Sequence, residues 1–125
     1  MASRLIDSLA TTDALAEVFS DRSLLQAMLD FEVALARAEV TAGVIPQRAA
    51  GAIAAAARAE HFDPEAIASE ARESGTIAIP LVQALTARVQ AADAASARFV
   101  HFGATSQDVA DSAMVLTLRR AHAIL

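Results

Sequence analysis

The chain has no cysteine, tryptophan, tyrosine or lysine, and only four glycines and three prolines in 125 residues. Without cysteine there can be no disulfide and no thiolate metal site. His61, His101 and His122 are widely spaced and form no HExxH-type pair, so no zinc site or other metal is expected. All ten basic residues are arginine, a bias for which the sequence offers no physical reason. They form no basic run and the formal net charge is −5, which argues against nucleic acid as a partner. No stretch approaches the roughly 18 uncharged apolar residues of a membrane span. The first residues include Arg4 but no apolar core of signal-peptide length. A cytoplasmic protein with no membrane partner is the expectation.

What remains is 55% hydrophobic but only 4% aromatic, so the apolar content is mostly alanine and aliphatic. Alanine favours helices and disfavours strands, and its small side chain suits close helix packing. An all-α fold is expected, at a length that supports one hydrophobic core.

Periodicity and capping signals predict helices near 21–42, 46–59, 64–73, 79–95 and 106–125. Residues 3–10 are ambiguous, and Thr11-Thr12-Asp13 starts a brief helix ending near Phe19. Ser20 then caps the strongest helix, with Leu24, Met28, Phe31, Leu35 and Ala38 at helical spacing on one face and Asp30, Arg37 and Glu39 on another; Gly43 and Pro46 end it. Pro46 reads as the first residue of an alanine-rich helix, and Asp63-Pro64-Glu65 as cap, first turn and favourable dipole charge of the next. Ser74-Gly75-Thr76 is a polar loop and a second candidate for ligand contact. Pro80, Leu81, Leu85 and Val89 argue for a helix rather than a strand after it. The last helix has Val109, Ala113 and Leu116 on one face and Met114, Leu118, Ala121 and Leu125 on another, so it belongs inside a bundle. Either another chain covers it or the 125 residues are the front part of something longer.

The chemistry gathers at His101-Phe102-Gly103-Ala104-Thr105-Ser106-Gln107-Asp108, which follows a short, extended, bulky run over 99–102. Thr105 and Asp108 have capping-box spacing: the hydroxyl can accept from the third backbone N–H while the acid reaches back. Such a helix start presents unpaired N–H groups and the positive end of the macrodipole, and Ser106 adds a hydroxyl, a combination that suits a carboxylate or phosphate. His101 can donate a hydrogen bond or a proton near neutral pH. The same residues also admit a purely structural reading, with Thr105 and Asp108 as a cap and His101 packed between Phe99 and Phe102.

The run His101 to Asp111, HFGATSQDVAD, resembles the first shared block of the fumarase/aspartase superfamily of lyases, which carries His-x-Gly-x-Thr-Ser-x-Asp at this point. Within it, Phe19-Ser20-Asp21, the run LDFEVALARA over 29–38 and GTIAIPLV over 75–82 look like the bacterial 3-carboxy-cis,cis-muconate cycloisomerase branch. The adenylosuccinate lyase branch would have a catalytic histidine near Gly75 to Ala78, and none is there. The resemblance implies a cofactor-free enzyme that interconverts an open unsaturated polycarboxylate and its lactone in protocatechuate breakdown through the β-ketoadipate route. It implies His101 as the catalytic-pocket residue and Thr105 and Ser106 as holders of a substrate carboxylate. It also implies a tetramer in the full-length family, with three subunits building each site; the two apolar faces of the last helix separately lead to the expectation that this chain is at least a dimer. The domain division expected is an N-terminal helical domain over 1–105 and the start of the first central-bundle helix over 106–125. The histidine of the second block and the flexible-loop serine thought to act as base would lie beyond Leu125, so the chain alone is expected to be inactive. The alternatives are another superfamily lyase, such as adenylosuccinate lyase, or a non-catalytic helical oligomerisation module.

Overall fold

A computed structural model describes residues 5–125, which form seven α-helices and two 3-10 turns and, among the described residues, no strand. The ambiguous N-terminal segment is helical over Leu5–Ala10 (α1), its first two residues lying outside the described range. Asp13–Val18 (α2) follows, with the Thr12 hydroxyl accepting from the Leu15 N–H at its start. The long helix Asp21–Thr41 (α3) is capped by Ser20, whose hydroxyl accepts from the Ser23 N–H at 3.2 Å.

The buried stripe of α3 is Leu25, Ala27, Met28, Leu29, Glu32 and Ala36, rotated from the expected one. Leu24, Phe31 and Leu35 are only half-buried and Ala38 is exposed. The cause is tertiary. Gln47–Ala56 (α4) and the last helix of the chain both pack on α3, and the residues buried are those these neighbours cover rather than those periodicity alone picks out.

Pro46 is the cap of α4, in extended conformation (φ −74°, ψ 148°), rather than its first residue. The helix stops at Ala56 instead of 59, and a 3-10 turn over Ala59–His61 follows. The Gln26 side chain on α3 explains the stop: its amide donates to the Ala57 carbonyl at 3.3 Å and accepts from the Ala59 N–H at 2.9 Å, taking backbone groups that a continuing helix would use. Ala49, Ala50, Ile53 and Ala56 are buried between α3 and a later helix, so the small side chains do find close neighbours.

Pro64–Ser74 (α5) starts as expected, with the Asp63 carboxylate accepting from the Glu65 N–H, and ends at Gly75 in the left-handed conformation (φ +74°). Ala78–Ala92 (α6) buries Ala78, Pro80, Leu81, Leu85 and Val89. It ends three residues before the expected 95 because Asp93 turns extended (φ −152°) and its carboxylate accepts from Ser96 at 2.8 Å and Arg48 at 2.6 Å. These two donors, Arg48 first, hold Asp93 below the usual carboxylate range. The expected extended run before the motif is absent. A 3-10 turn over Ala94–Phe99 passes into a turn through 100–103.

Ser106–His122 (α7) closes the fold, three residues short of the expected end. Its buried residues are Val109, Ala113, Thr117 and Ala121, a spacing of four that lies along α3. Ala121 therefore belongs to the Val109 face and not to the Met114 face. Deeply buried side chains of the core, Leu29, Ile53, Leu81, Leu85, Val89 and Val109, come from α3, α4, α6 and α7, so α7 enters the core within its first turn.

Candidate functional site

The start of α7 is a complete capping box. Thr105 is extended (φ −112°, ψ 163°); its N–H donates to Asp108 Oδ2 at 2.8 Å, its hydroxyl donates to the same oxygen at 3.0 Å, and the Asp108 N–H donates back to the Thr105 hydroxyl at 3.4 Å. The Thr105 N–H and then its hydroxyl stabilise the charged carboxylate and hold Asp108 below the ordinary aspartate value. The exposed Thr105 side chain is thus engaged in the cap.

Ser106 differs. It is half-buried, and its hydroxyl makes no hydrogen bond among the described residues. As the first two residues inside the helix, Ser106 and Gln107 also have backbone N–H groups without intrahelical partners. Three donors at the positive end of a 17-residue helix are therefore left for an incoming anion, and the cap itself does not consume them.

His101 precedes this start across a tight turn. Its backbone is left-handed (φ +57°), uncommon for a residue with a Cβ, and Gly103 is left-handed two residues later (φ +73°). The ring does not owe its position to packing between two phenylalanines: Phe99 and Phe102 stack edge to face with each other at 6.1 Å. The ring is held by a polar partner, with Nδ1 2.6 Å from Glu32 Oε1. The His101 side chain is 16% exposed and that of Glu32 1%. Removal from water pushes Glu32 above the ordinary glutamate value, while the bond to His101 and its charge pull the other way. Glu39 is half-buried and faces the same turn: burial raises its pKa, His101 lowers it, and a Cβ on Gly103 would lie 3.9 Å from its Oε1. One oxygen of each acid, Glu32 Oε2 and Glu39 Oε2, is buried without a hydrogen-bond partner. Asp108 also lies within electrostatic reach of His101. The tertiary structure therefore brings His101, the Ser106 hydroxyl and the open N–H groups to one end of α7, with two acids of α3 behind the ring.

Sequence reasoning singled out His101, Thr105 and Ser106 but passed over Glu32 and read Glu39, with Asp30 and Arg37, as part of a solvated or subunit-facing side of the helix. The available signal was spacing: Glu32, Ala36 and Glu39 stand at i, i+4 and i+7, one helical face, so an acid falls inside an apolar stripe. In the polar loop at Ser74-Gly75-Thr76 the Ser74 hydroxyl donates to the Thr76 carbonyl and the Thr76 hydroxyl accepts from the Ala78 N–H. Among the described residues no three histidine or acidic side chains converge as metal ligands.

A capped helix start with open donors, and a histidine across the turn before it, is what the Thr-Ser block forms on this all-α scaffold. A family model for lyases matches residues 8–125. The chain belongs to the fumarase/aspartase family of lyases. Within this lyase family it is 53% identical over 124 residues to a 3-carboxy-cis,cis-muconate cycloisomerase of Pseudomonas aeruginosa, a match that covers 99% of the chain and 27% of the relative. To the cycloisomerase of Bradyrhizobium diazoefficiens it is 56% identical over 119 residues, covering 95% of the chain and 26% of the relative. The crystal structure of β-carboxy-cis,cis-muconate cycloisomerase from Acinetobacter calcoaceticus superimposes with a TM-score of 0.92 at 47% identity, over 97% of this chain and 28% of that one. The chain thus spans about a quarter of the length of the lyases it matches, and the family and all-α fold implied by HFGATSQDVAD both hold.

Proposed function

We propose that the chain supplies the carboxylate-holding part of a cofactor-independent cycloisomerase that interconverts 3-carboxy-cis,cis-muconate and its lactone. The observation that carries this reading is the match to cycloisomerases along nearly the whole chain at 53 and 56% identity. The absence of a histidine between Gly75 and Ala78 favours it over adenylosuccinate lyase. In the lactonising direction a carboxylate oxygen forms a bond to an alkene carbon, the π electrons move to the neighbouring carbon, and a proton is delivered there. Negative charge accumulates on the carboxyl group next to that carbon. The open donors at Ser106 and Gln107 suit this group, since fixed N–H and O–H dipoles stabilise a forming oxyanion without reorganising. His101 lines the same mouth as a donor or electrostatic partner, and Thr105 sets the first turn that aims the donors.

The proton donor and acceptor of the reaction lie outside these residues in this reading, and the working unit is an assembly. Met114, Val115 and Leu118 are each more than half exposed on α7, and an apolar groove of about 580 Å³ runs between α3 and α7 past Phe31, Ala34, Val115 and Leu116. Further helices, from the same or another subunit, would cover these surfaces. The test is turnover by a version extended to the length of its relatives, assayed on 3-carboxy-cis,cis-muconate by loss of diene absorbance and on adenylosuccinate in parallel. Lactonisation is expected. Turnover of adenylosuccinate alone would overturn the assignment.

A further inference from the structure

The carboxylate at position 32 is hard to explain by stability. Glu32 sits in the apolar stripe of α3 with 1% of its side chain exposed, one oxygen on His101 and the other without a partner. An apolar residue of similar volume at such a place serves a fold as well or better, because removing a carboxylate from water is barely repaid by one bond. The partner is equally unusual: His101 is the one residue other than glycine with positive φ among the described residues. A left-handed backbone aims the ring back at α3, and strain of this kind persists where surrounding contacts over-determine it. The Nδ1 contact is the ring's hydrogen bond among the described residues, which leaves Nε2 without one. Glu39, though close enough to sense the charge of His101, makes no ion pair within 4.0 Å of it.

We propose that Glu32 is a positioning residue for His101: its carboxylate accepts the Nδ1–H, locks the ring in one tautomer and one orientation, and reserves Nε2 for the substrate. This deepens the function proposed above and rests on it for the identity of the substrate. With the ring neutral, Nε2 then presents a lone pair; with the ring protonated, it presents an N–H to a carboxylate held at Ser106. Without the carboxylate the ring is free to place its proton on Nε2 and to leave the left-handed pose. Glu39 is the control, since it faces the turn but does not hold the ring.

The experiment is 15N NMR of the histidine rings in this chain, above the pH at which the rings lose their charge, with His101 identified by its loss in His101→Asn. His101 should be in the Nδ1–H form, in contrast to the exposed His122. Glu32→Gln should cut the Nδ1–H share severalfold, and Glu39→Gln should leave it unchanged. An Nε2–H tautomer in the wild type overturns the proposal whether or not the Glu32 variant folds, and so does a tautomer unchanged by Glu32→Gln. In the version extended to the length of its relatives, Glu32→Gln and His101→Asn should each lower kcat/KM at least tenfold, and the double variant should be no worse than His101→Asn. Independent, multiplying losses would overturn the positioning role. Failure of the unsubstituted extended enzyme to lactonise would instead sink the functional reading and leave the tautomer result standing.

Discussion

Thr105 and Ser106 are neighbours, yet the structure gives their side chains opposite duties, and alanine substitution should separate them. Thr105→Ala removes an N-cap with three contacts to Asp108 at 2.8, 3.0 and 3.4 Å. The N–H contact survives and the two hydroxyl contacts do not, so the loss should be about 1 kcal/mol of stability. For a chain of this size that is a fall of roughly 3–5 °C in Tm. Ser106→Ala removes a hydroxyl that has no partner among the described residues, and should change stability by less than about 0.5 kcal/mol. If that hydroxyl bonds a substrate carboxylate, its loss in the enzyme extended to the length of its relatives should cost roughly 1.5–3 kcal/mol of binding, or about 10- to 150-fold in kcat/KM. Urea denaturation of the chain and steady-state kinetics of the extended enzyme read the two halves. A Ser106→Ala enzyme within twofold of its parent in kcat/KM would refute the reasoning and leave the start of α7 as a cap alone.

Leu29→Ala, at a fully buried position of α3, should destabilise the chain by about 2–5 kcal/mol, measured by urea denaturation. Asp108→Asn should be less stable than the wild type at neutral pH. Because Thr105 depresses the folded pKa of Asp108, that advantage is present above the ordinary aspartate value and is lost as pH falls through the depressed value, so the urea midpoints of the two proteins should converge in acid. The chain should self-associate through α7, where burying the exposed halves of Met114, Val115 and Leu118 gains about 1 kcal/mol each. Sedimentation over a concentration series should show this, and Val115→Glu with Leu118→Glu should abolish it; a wild-type monomer at every concentration, with α7 protected from hydrogen exchange, would refute it.

The sequence by itself determined the elements whose causes are local. Ser20, Thr12, Asp63 and Thr105 cap helices through their own side chains, and Gly75 ends α5 with a backbone conformation that needs no neighbour. The capping box at the start of α7 was legible for the same reason, being written in the four residues Thr105 to Asp108, whereas the family was legible only through the resemblance of the longer run HFGATSQDVAD to a known block. What the tertiary structure decided is wherever two distant segments compete for the same groups. The Gln26 side chain cuts α4 short 31 residues downstream by hydrogen bonding to Ala57, and Arg48 and Ser96 draw Asp93 out of α6. The covered arc of α3 depends on which helices flank it, so periodicity located an apolar face but not its centre. Glu32 is the clearest case. On a helical wheel it is an acid inside an apolar stripe, and only the left-handed turn at His101, 69 positions later, supplies its hydrogen-bond partner.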